Sequence, residues 1–476
     1  MLTISTLRAP GAIALVACYE LGHQPLSLAS PLATLQAAGY APQATDTSVE
    51  TLDDATLRAA RLIAISVPMH TALRLGAAVA ERARALHPDA CIVFYGLYAS
   101  LNADYLLRDH ADAVIGGEYE QALLALAEAL DAGATADTLD LPGVRTRQAP
   151  AAPVLQRLPF AAPARADLPP LRSYAHLVRG DTVVPAGYVE ATRGCLHTCL
   201  HCPITPVYGG RFFVVPRAVV LDDIRAQVAA GAGHITFGDP DFLNGPGHAL
   251  AIARALHSEF PDVTFDATIK VEHILERRAA IAELSQLGCA FIVSAVESLS
   301  PRVLEHLAKG HTRADVEEAL RIADAAAIPI RPTFVAFTPW TTADDYLELL
   351  DFVAAQGLVE HIDPIQYAIR LLVPPGSALL GTPDAAEWLG PLDEAAFSYR
   401  WEHADPRMDA LQREVAALVE RAAAQHHPTA QTFADVRALA EQRLGRAAAA
   451  NGTETPEAIA SVRRRPVPHL TEAWFC

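Results

Sequence analysis

Residues 193 to 203 read RGCLHTCLHCP, and Cys195, Cys199 and Cys202 fall within eight residues of a chain that holds only seven cysteines. Three thiolates on one short loop select zinc or iron–sulfur. A structural zinc site closes with four ligands, and His197 or His201 could supply the fourth. The usual zinc pattern, however, pairs two knuckles far apart in sequence, and no second Cys-x2-Cys occurs here. An iron–sulfur cluster held by three thiolates leaves one iron open to a small ligand, which is a catalytic arrangement. The spacing therefore favours a cluster over zinc, and both over a chance grouping.

The rest of the composition bounds where such a site would work. A chain of 476 residues predicts two to four domains, and 51% hydrophobic with 19% charged residues is ordinary for a folded protein. The formal charge of -18 argues against nucleic acid or anionic lipid as a partner, since both attract basic surfaces. The chain has no uninterrupted apolar run of about eighteen residues, and its first twenty residues lack a secretory cleavage pattern. A cytoplasmic location without membrane contact is the expectation. Thiols stay reduced there, so clustered cysteines read as metal-binding or catalytic.

The elements that must position the loop follow from periodicity. Over residues 1–135 the buried-strand runs GAIALVAC, LIAISVPM, CIVFYGLY and ADAVIGG alternate with the helical stretches PLATLQAAG, TALRLGAAVAERARALH and YEQALLALAEAL. This alternation predicts an α/β doubly wound sheet with any ligand at the carboxyl ends of its strands. Residues 136–185 are dense in Pro and Ala and read as a linker. From 186 to 390, AGYVEAT, HITFGD, TFDATI, AFIVSAVE, IRPTFVAF and HIDPIQYAIRLL alternate with helices, predicting a partial (β/α)6 barrel. Residues 391–447 read as helical. The tail, 448–476, is expected to be poorly ordered and ends in the aromatic-thiol sequence HLTEAWFC.

Three thiols in this spacing, on a loop just after the first barrel strand, resemble the radical S-adenosylmethionine (SAM) superfamily. The resemblance implies a [4Fe-4S] cluster on Cys195, Cys199 and Cys202, SAM on the fourth iron, a small-molecule substrate and an electron donor such as flavodoxin or ferredoxin. One departure is His201, where the family usually has an aromatic residue. FGDPDF follows the second strand where the family's SAM-amine motif sits, so Gly238, Asp239 and Asp241 are implied ammonium contacts; the plain alternative is a strand-ending turn. SAVESLS resembles the fourth-strand element near the SAM ribose and carboxylate, making Glu297 and Ser298 candidates, with a helix cap as the alternative. Lys270, Lys309 and Arg370 are cationic candidates, or solvated surface groups.

The front domain resembles the cobalamin-binding domain that precedes the barrel in one radical SAM class, through ISVPMHTA, FYGLYASLNADYLL and VIGGEYE. No Asp-x-His-x2-Gly occurs, and neither His23 nor His70 has that context. Two readings stay open, cobalamin held without a histidine ligand, or a relic scaffold. The ending HLTEAWFC resembles the radical SAM group named for its CUAEP or CCAEP tail. That resemblance implies that the next codon encodes selenocysteine and that Cys476 works at the active site. Together these features resemble the arsinothricin-biosynthesis radical SAM group, which implies transfer of the 3-amino-3-carboxypropyl group of SAM to trivalent arsenic, delivered by Cys476 with a lost neighbour or with Cys289. The competing expectations are a cobalamin-dependent radical SAM methyltransferase and a non-catalytic zinc protein.

Overall fold

The structure, a computed structural model, describes residues 7–156, 159–445 and 464–472. The front sheet is built from β1 (Ile13–Ala17), β2 (Gln43–Asp46), β3 (Leu62–Ser66), β4 (Cys91–Tyr95), β5 (Ala113–Ile115) and β6 (Val144–Arg145). They lie in the order β2-β1-β3-β4-β5-β6, parallel except for β6. The pentapeptides IALVA, LIAIS and CIVFY are buried at every position, as strands covered by helices on both faces must be. Order reverses at β1 and β3, so their carboxyl ends form the crevice where such sheets bind ligands.

The expected helix from Pro31 begins five residues earlier, spanning Leu26–Ala37 with Pro31 inside it. Proline cannot donate to the carbonyl four residues back. That carbonyl, on Ser27, accepts instead from the buried Tyr95 hydroxyl at 2.8 Å, which makes the proline tolerable. Strand β2, sequence QATD, escaped the hydrophobic reading because it is a short polar edge strand.

The second sheet starts inside the expected linker, with a hairpin of β7 (His176–Arg179) and β8 (Thr182–Val189). A small ribbon, β9 (Thr192–Gly194) and β10 (Phe212–Val214), stands apart from it. Then come β11 (His234–Phe237), β12 (Thr264–Thr268), β13 (Cys289–Glu297) and β14 (Ile330–Phe334), parallel to β8 and curled into a half barrel. The expected sixth strand, HIDPIQYAIRLL, forms two 3-10 turns at Val359–His361 and Pro364–Tyr367 and, in place of a ladder, has one bridge, between Phe337 and Arg370. Pro364 has no ladder donor to offer. The Gln366 side chain accepts from Phe334 N at 2.9 Å and satisfies the edge that a strand would have paired.

The C-terminal region opens with a hairpin rather than a helix, β15 (Leu389–Asp393) with β16 (Ser398–Trp401), before the helices Pro406–Ala424 and Thr429–Leu444. Of the expected loose tail, the described part is held. Arg464 pairs with Asp324 at 2.6 Å, and β17 (His469–Leu470) adds antiparallel to β7, giving the sheet order β14-β13-β12-β11-β8-β7-β17. Among the described residues no helix is long and apolar enough to cross a membrane.

Candidate active site

The three-cysteine loop hangs from the β9–β10 ribbon. Gly194 begins it at φ +77°, where a Cβ would meet Arg211 O at 2.5 Å, so the turn requires glycine. Within the loop, Cys202 N and the Thr205 hydroxyl both donate to Cys199 O, at 3.2 and 2.8 Å. Leu200 N donates to Leu307 O at 3.0 Å, and Leu196 N to Asn244 Oδ1 at 3.2 Å. The backbone is thus braced from two other barrel loops.

All three thiols are free of disulfides, and burial pushes the Cys202 thiol up to about 12. A thiol so reluctant to ionise becomes a thiolate when a metal replaces its proton. Among the described residues, three candidate ligand atoms gather within 4.8 Å only at His197, Asp241 and His273. No cysteine belongs to that group, so the three thiols are not gathered about a single-ion site. Three soft donors spread in this way fit a polynuclear iron–sulfur cluster.

Beside Cys202 a cavity of about 530 Å³ lies between the carboxyl ends of the two sheets. Its barrel wall includes Gly238, Asp239 and Glu297. A Cβ on Gly238 would lie 2.0 Å from the Tyr188 ring, so glycine is required there by packing. Asp239 accepts from the Thr192 hydroxyl at 2.5 Å and from Ala191 N at 2.9 Å, and burial nevertheless lifts its carboxyl to about 7. Both its oxygens are spent on the strand that leads to the cysteines.

Glu297 ends β13 in the left-handed region, at φ +66°. Burial opposes its charge, but Lys309 at 3.6 Å and His201 at 3.2 Å outweigh burial and bring the carboxyl down to about 2. The family departure at His201 thus has a use, tying the cysteine loop to β13. Ser298 turns away and accepts from Ser300 N at 3.2 Å. Asp241 points to His197 and His273, at 3.3 and 2.7 Å, rather than to the cavity. Lys270 is buried and pairs with Glu272, and Arg370 pairs with Asp409 at 2.5 Å over the Trp401 ring.

The opposite wall comes from the front sheet and includes Glu20, His23, Met69 and Tyr119. Burial lowers the His23 imidazole to about 4, so it is neutral at physiological pH, and its Nδ1 has no hydrogen-bond partner. His70 instead meets Ala396 O at 2.7 Å. Leu470 and Glu472 of the tail close the rim.

The sequence reading missed the joint between the domains. Arg193, two residues before the first cysteine, is buried against Glu120 at 2.7 Å, Glu190 at 2.9 Å and Glu118 at 3.2 Å. Tyr208, just past the loop, donates to Glu118 at 3.0 Å. Arg193 opens the quoted motif and Glu118 lies in VIGGEYE, but their pairing exists only once the domains meet. Cys289 starts β13, two residues before the cavity-lining Phe291, and its buried thiol donates to Phe291 O at 3.4 Å. Cys476 lies outside the described residues.

Comparison with known proteins accords with this geometry. Residues 189–353 match the radical SAM superfamily and residues 12–127 the B12 binding domain. The chain is 25% identical over 308 residues to an uncharacterised methyltransferase of Pyrococcus horikoshii, covering 62% of this chain and 64% of that protein. It is 24% identical over 268 residues to the hopanoid C-3 methylase of Methylococcus capsulatus, covering 55% and 50%. The chain thus spans less than two thirds of the length of these curated relatives.

Among solved structures, the cobalamin-dependent SAM radical enzyme OxsB with aqua-cobalamin and SAM bound superposes with a TM-score of 0.68 at 15% identity, covering 91% of this chain and 71% of that one. The radical SAM methyltransferase TsrM of Kitasatospora setae, with tryptophan and a SAM analogue bound, gives 0.58 at 19%, covering 72% and 70%. These likenesses share the fold. The two domains imply [4Fe-4S], SAM and cobalamin as cofactors, and a cavity walled by both sets of strand ends, with a neutral imidazole whose Nδ1 has no hydrogen-bond partner, suits ligands held between them.

Proposed function

We propose that this chain is a cobalamin-dependent radical SAM methyltransferase of a small molecule, with Cys195, Cys199 and Cys202 as its cluster ligands. The observation that carries this reading is the single cavity shared by the carboxyl ends of the front sheet and the half barrel, with Cys202 in its wall. When bound, the cluster and SAM supply reductive carbon–sulfur cleavage and the corrinoid supplies a methyl carrier. The chain's own residues do the positioning. Glu297, ionised and clamped by Lys309 and His201, would offer a fixed polar contact near the SAM ribose from the cavity wall, and Gly238 lets β11 approach Tyr188 closely. Asp239 fixes Thr192 and Ala191 at the root of the cysteine loop, and Arg193 locks the two walls at one separation. The curated relatives named as methyl-transferring enzymes support the same reaction class.

A second reading, aminocarboxypropyl transfer to trivalent arsenic, rests on the tail. Glu472 lines the cavity rim and Cys476 follows it by four residues, a reach of at most about 14 Å. Cys476 is then the thiol that carries arsenic to the cavity. One anaerobic experiment separates the two: the reduced, cluster-loaded protein is given SAM with and without arsenite and its nucleosides are identified. Methyl transfer yields S-adenosylhomocysteine with 5'-deoxyadenosine and needs stoichiometric bound corrinoid. Methylthioadenosine that rises with arsenite selects the second reading and overturns the first.

A further inference from the structure

We infer that His197, Asp241 and His273 form a binding site for one divalent transition-metal ion, distinct from the cysteine cluster and lying beside its loop. The three side chains come from separate elements. His197 lies between Cys195 and Cys199, Asp241 lies in the turn after β11, and His273 lies in the helix Val271–Glu276 after β12. His197 Nε2 and His273 Nδ1 both approach the same Asp241 oxygen, Oδ2, at 3.3 and 2.7 Å, and all three atoms lie within 4.8 Å of one another.

The alignment of these atoms distinguishes a metal site from a hydrogen-bonded cluster. All three are shielded from water, yet none makes a hydrogen bond of acceptable geometry to any partner. Buried polar atoms are nearly always satisfied, and pairs this close normally align donor to lone pair. Ligands around one ion behave differently, because their lone pairs aim at the shared centre. With bonds of about 2.1 Å and tetrahedral to octahedral angles, ligand atoms stand roughly 3.0 to 3.4 Å apart; His197 Nε2 meets that spacing at 3.3 Å from Asp241 Oδ2, and His273 Nδ1, at 2.7 Å, would move outward as an ion enters. Asp241 is 1% exposed and His273 7%, so these two donors are held in place before any ion arrives, while the His197 side chain is 19% exposed.

The surroundings complete the pattern. Asp241 Oδ1 accepts from Leu243 N at 3.1 Å, which leaves Oδ2 as the single ligand oxygen. Glu272 Oε2 stands 3.5 Å and Lys270 Nζ 3.3 Å from His197 Nδ1, which leaves Nε2 as the nitrogen turned to Asp241. Lys270, paired to Glu272, offsets the carboxylate charge. Two imidazoles and one carboxylate suit zinc or iron(II), with remaining positions open to water. The ion would fasten the cysteine loop to the carboxyl ends of β11 and β12, a positioning role with no redox step.

The test uses the full chain, loaded with its iron–sulfur cluster and dialysed against a chelator, then titrated with zinc chloride. One tightly held zinc per chain beyond the cluster iron is expected. His273→Ala and Asp241→Asn should each lose that zinc while keeping wild-type iron and sulfide, and zinc should raise the unfolding midpoint of the wild type but of neither variant. A wild type that binds no stoichiometric zinc, or variants that bind it as well as the wild type, overturn the assignment. If both variants fail to fold, cobalt(II) added to the wild type decides. Ligand-field bands without thiolate charge transfer support the nitrogen and oxygen site, and thiolate charge transfer places the ion on cysteine and overturns it.

Discussion

The two sheets that face each other across the cavity use their strands differently. In the front sheet β1, β3 and β4 are buried at every position, and on its side of the cavity Glu20 and His23 come after the strands end, with Ser66 at the last position of β3. In the half barrel the polar groups lie within the strands. His234 and Thr236 of β11 both bond Asp266 of β12, at 2.8 and 2.7 Å, and Thr236, Asp266, Thr268 and Thr333 line the cavity. A sheet sandwiched by helices has no free face, whereas a half barrel keeps a concave face that polar side chains and ligands must fill. Changes within a front strand should therefore touch stability alone, and changes at the barrel's mouth should touch binding as well.

The largest expected effect is at the cysteine loop. Cys199→Ala should abolish bound iron and sulfide together with all SAM cleavage, measured by metal analysis and nucleoside chromatography; retained cluster would break the ligand assignment. Next comes the joint between the sheets. Arg193→Met strands Glu118, Glu120 and Glu190 without their cation, a loss of about 3 to 5 kcal/mol for a broken buried ion pair. Chemical denaturation should show separate transitions for the two halves, and one unshifted transition would mean that other contacts hold them.

Gly238→Ala pushes a methyl into Tyr188 and should cost about 1 to 3 kcal/mol. Isothermal titration should also show weaker SAM binding, and an unchanged affinity would remove that corner of the cavity from the cofactor site. The smallest effect tests the front sheet. Ile65→Val, wholly buried in β3, should cost about 0.5 to 1.5 kcal/mol with corrinoid content and SAM cleavage unchanged. A fall in turnover larger than the stability loss explains would break the contrast between the sheets.

The same contrast explains what the sequence could tell. The apolar runs IALVA, LIAIS and CIVFY announce their strands because nothing but burial acts on them. Cys195, Cys199 and Cys202 were legible as a set because they share one loop. Pairings that join distant segments were not: Arg193 with Glu118, His201 with Glu297, and Asp241 with His273 each span separate loops or domains. The sixth barrel strand was misread because HIDPIQYAIRLL has a strand's composition, while Pro364 and the Gln366 side chain remove the need for a ladder there. The hairpin β15–β16 hid inside a helical expectation because its strands are short and half exposed.

The last strand carries a consequence for how the molecule matures. His176 N donates to the Thr471 hydroxyl at 3.0 Å, a contact between residues 295 positions apart. A ribosome makes the chain from its N-terminus, and domains fold as they emerge. Both sheets and the cysteine loop thus exist before β17 can seal the edge beside the cavity. Until residues 469–472 pair with β7, a bulky cofactor would meet an open edge beside the cavity, and that pairing narrows the way in.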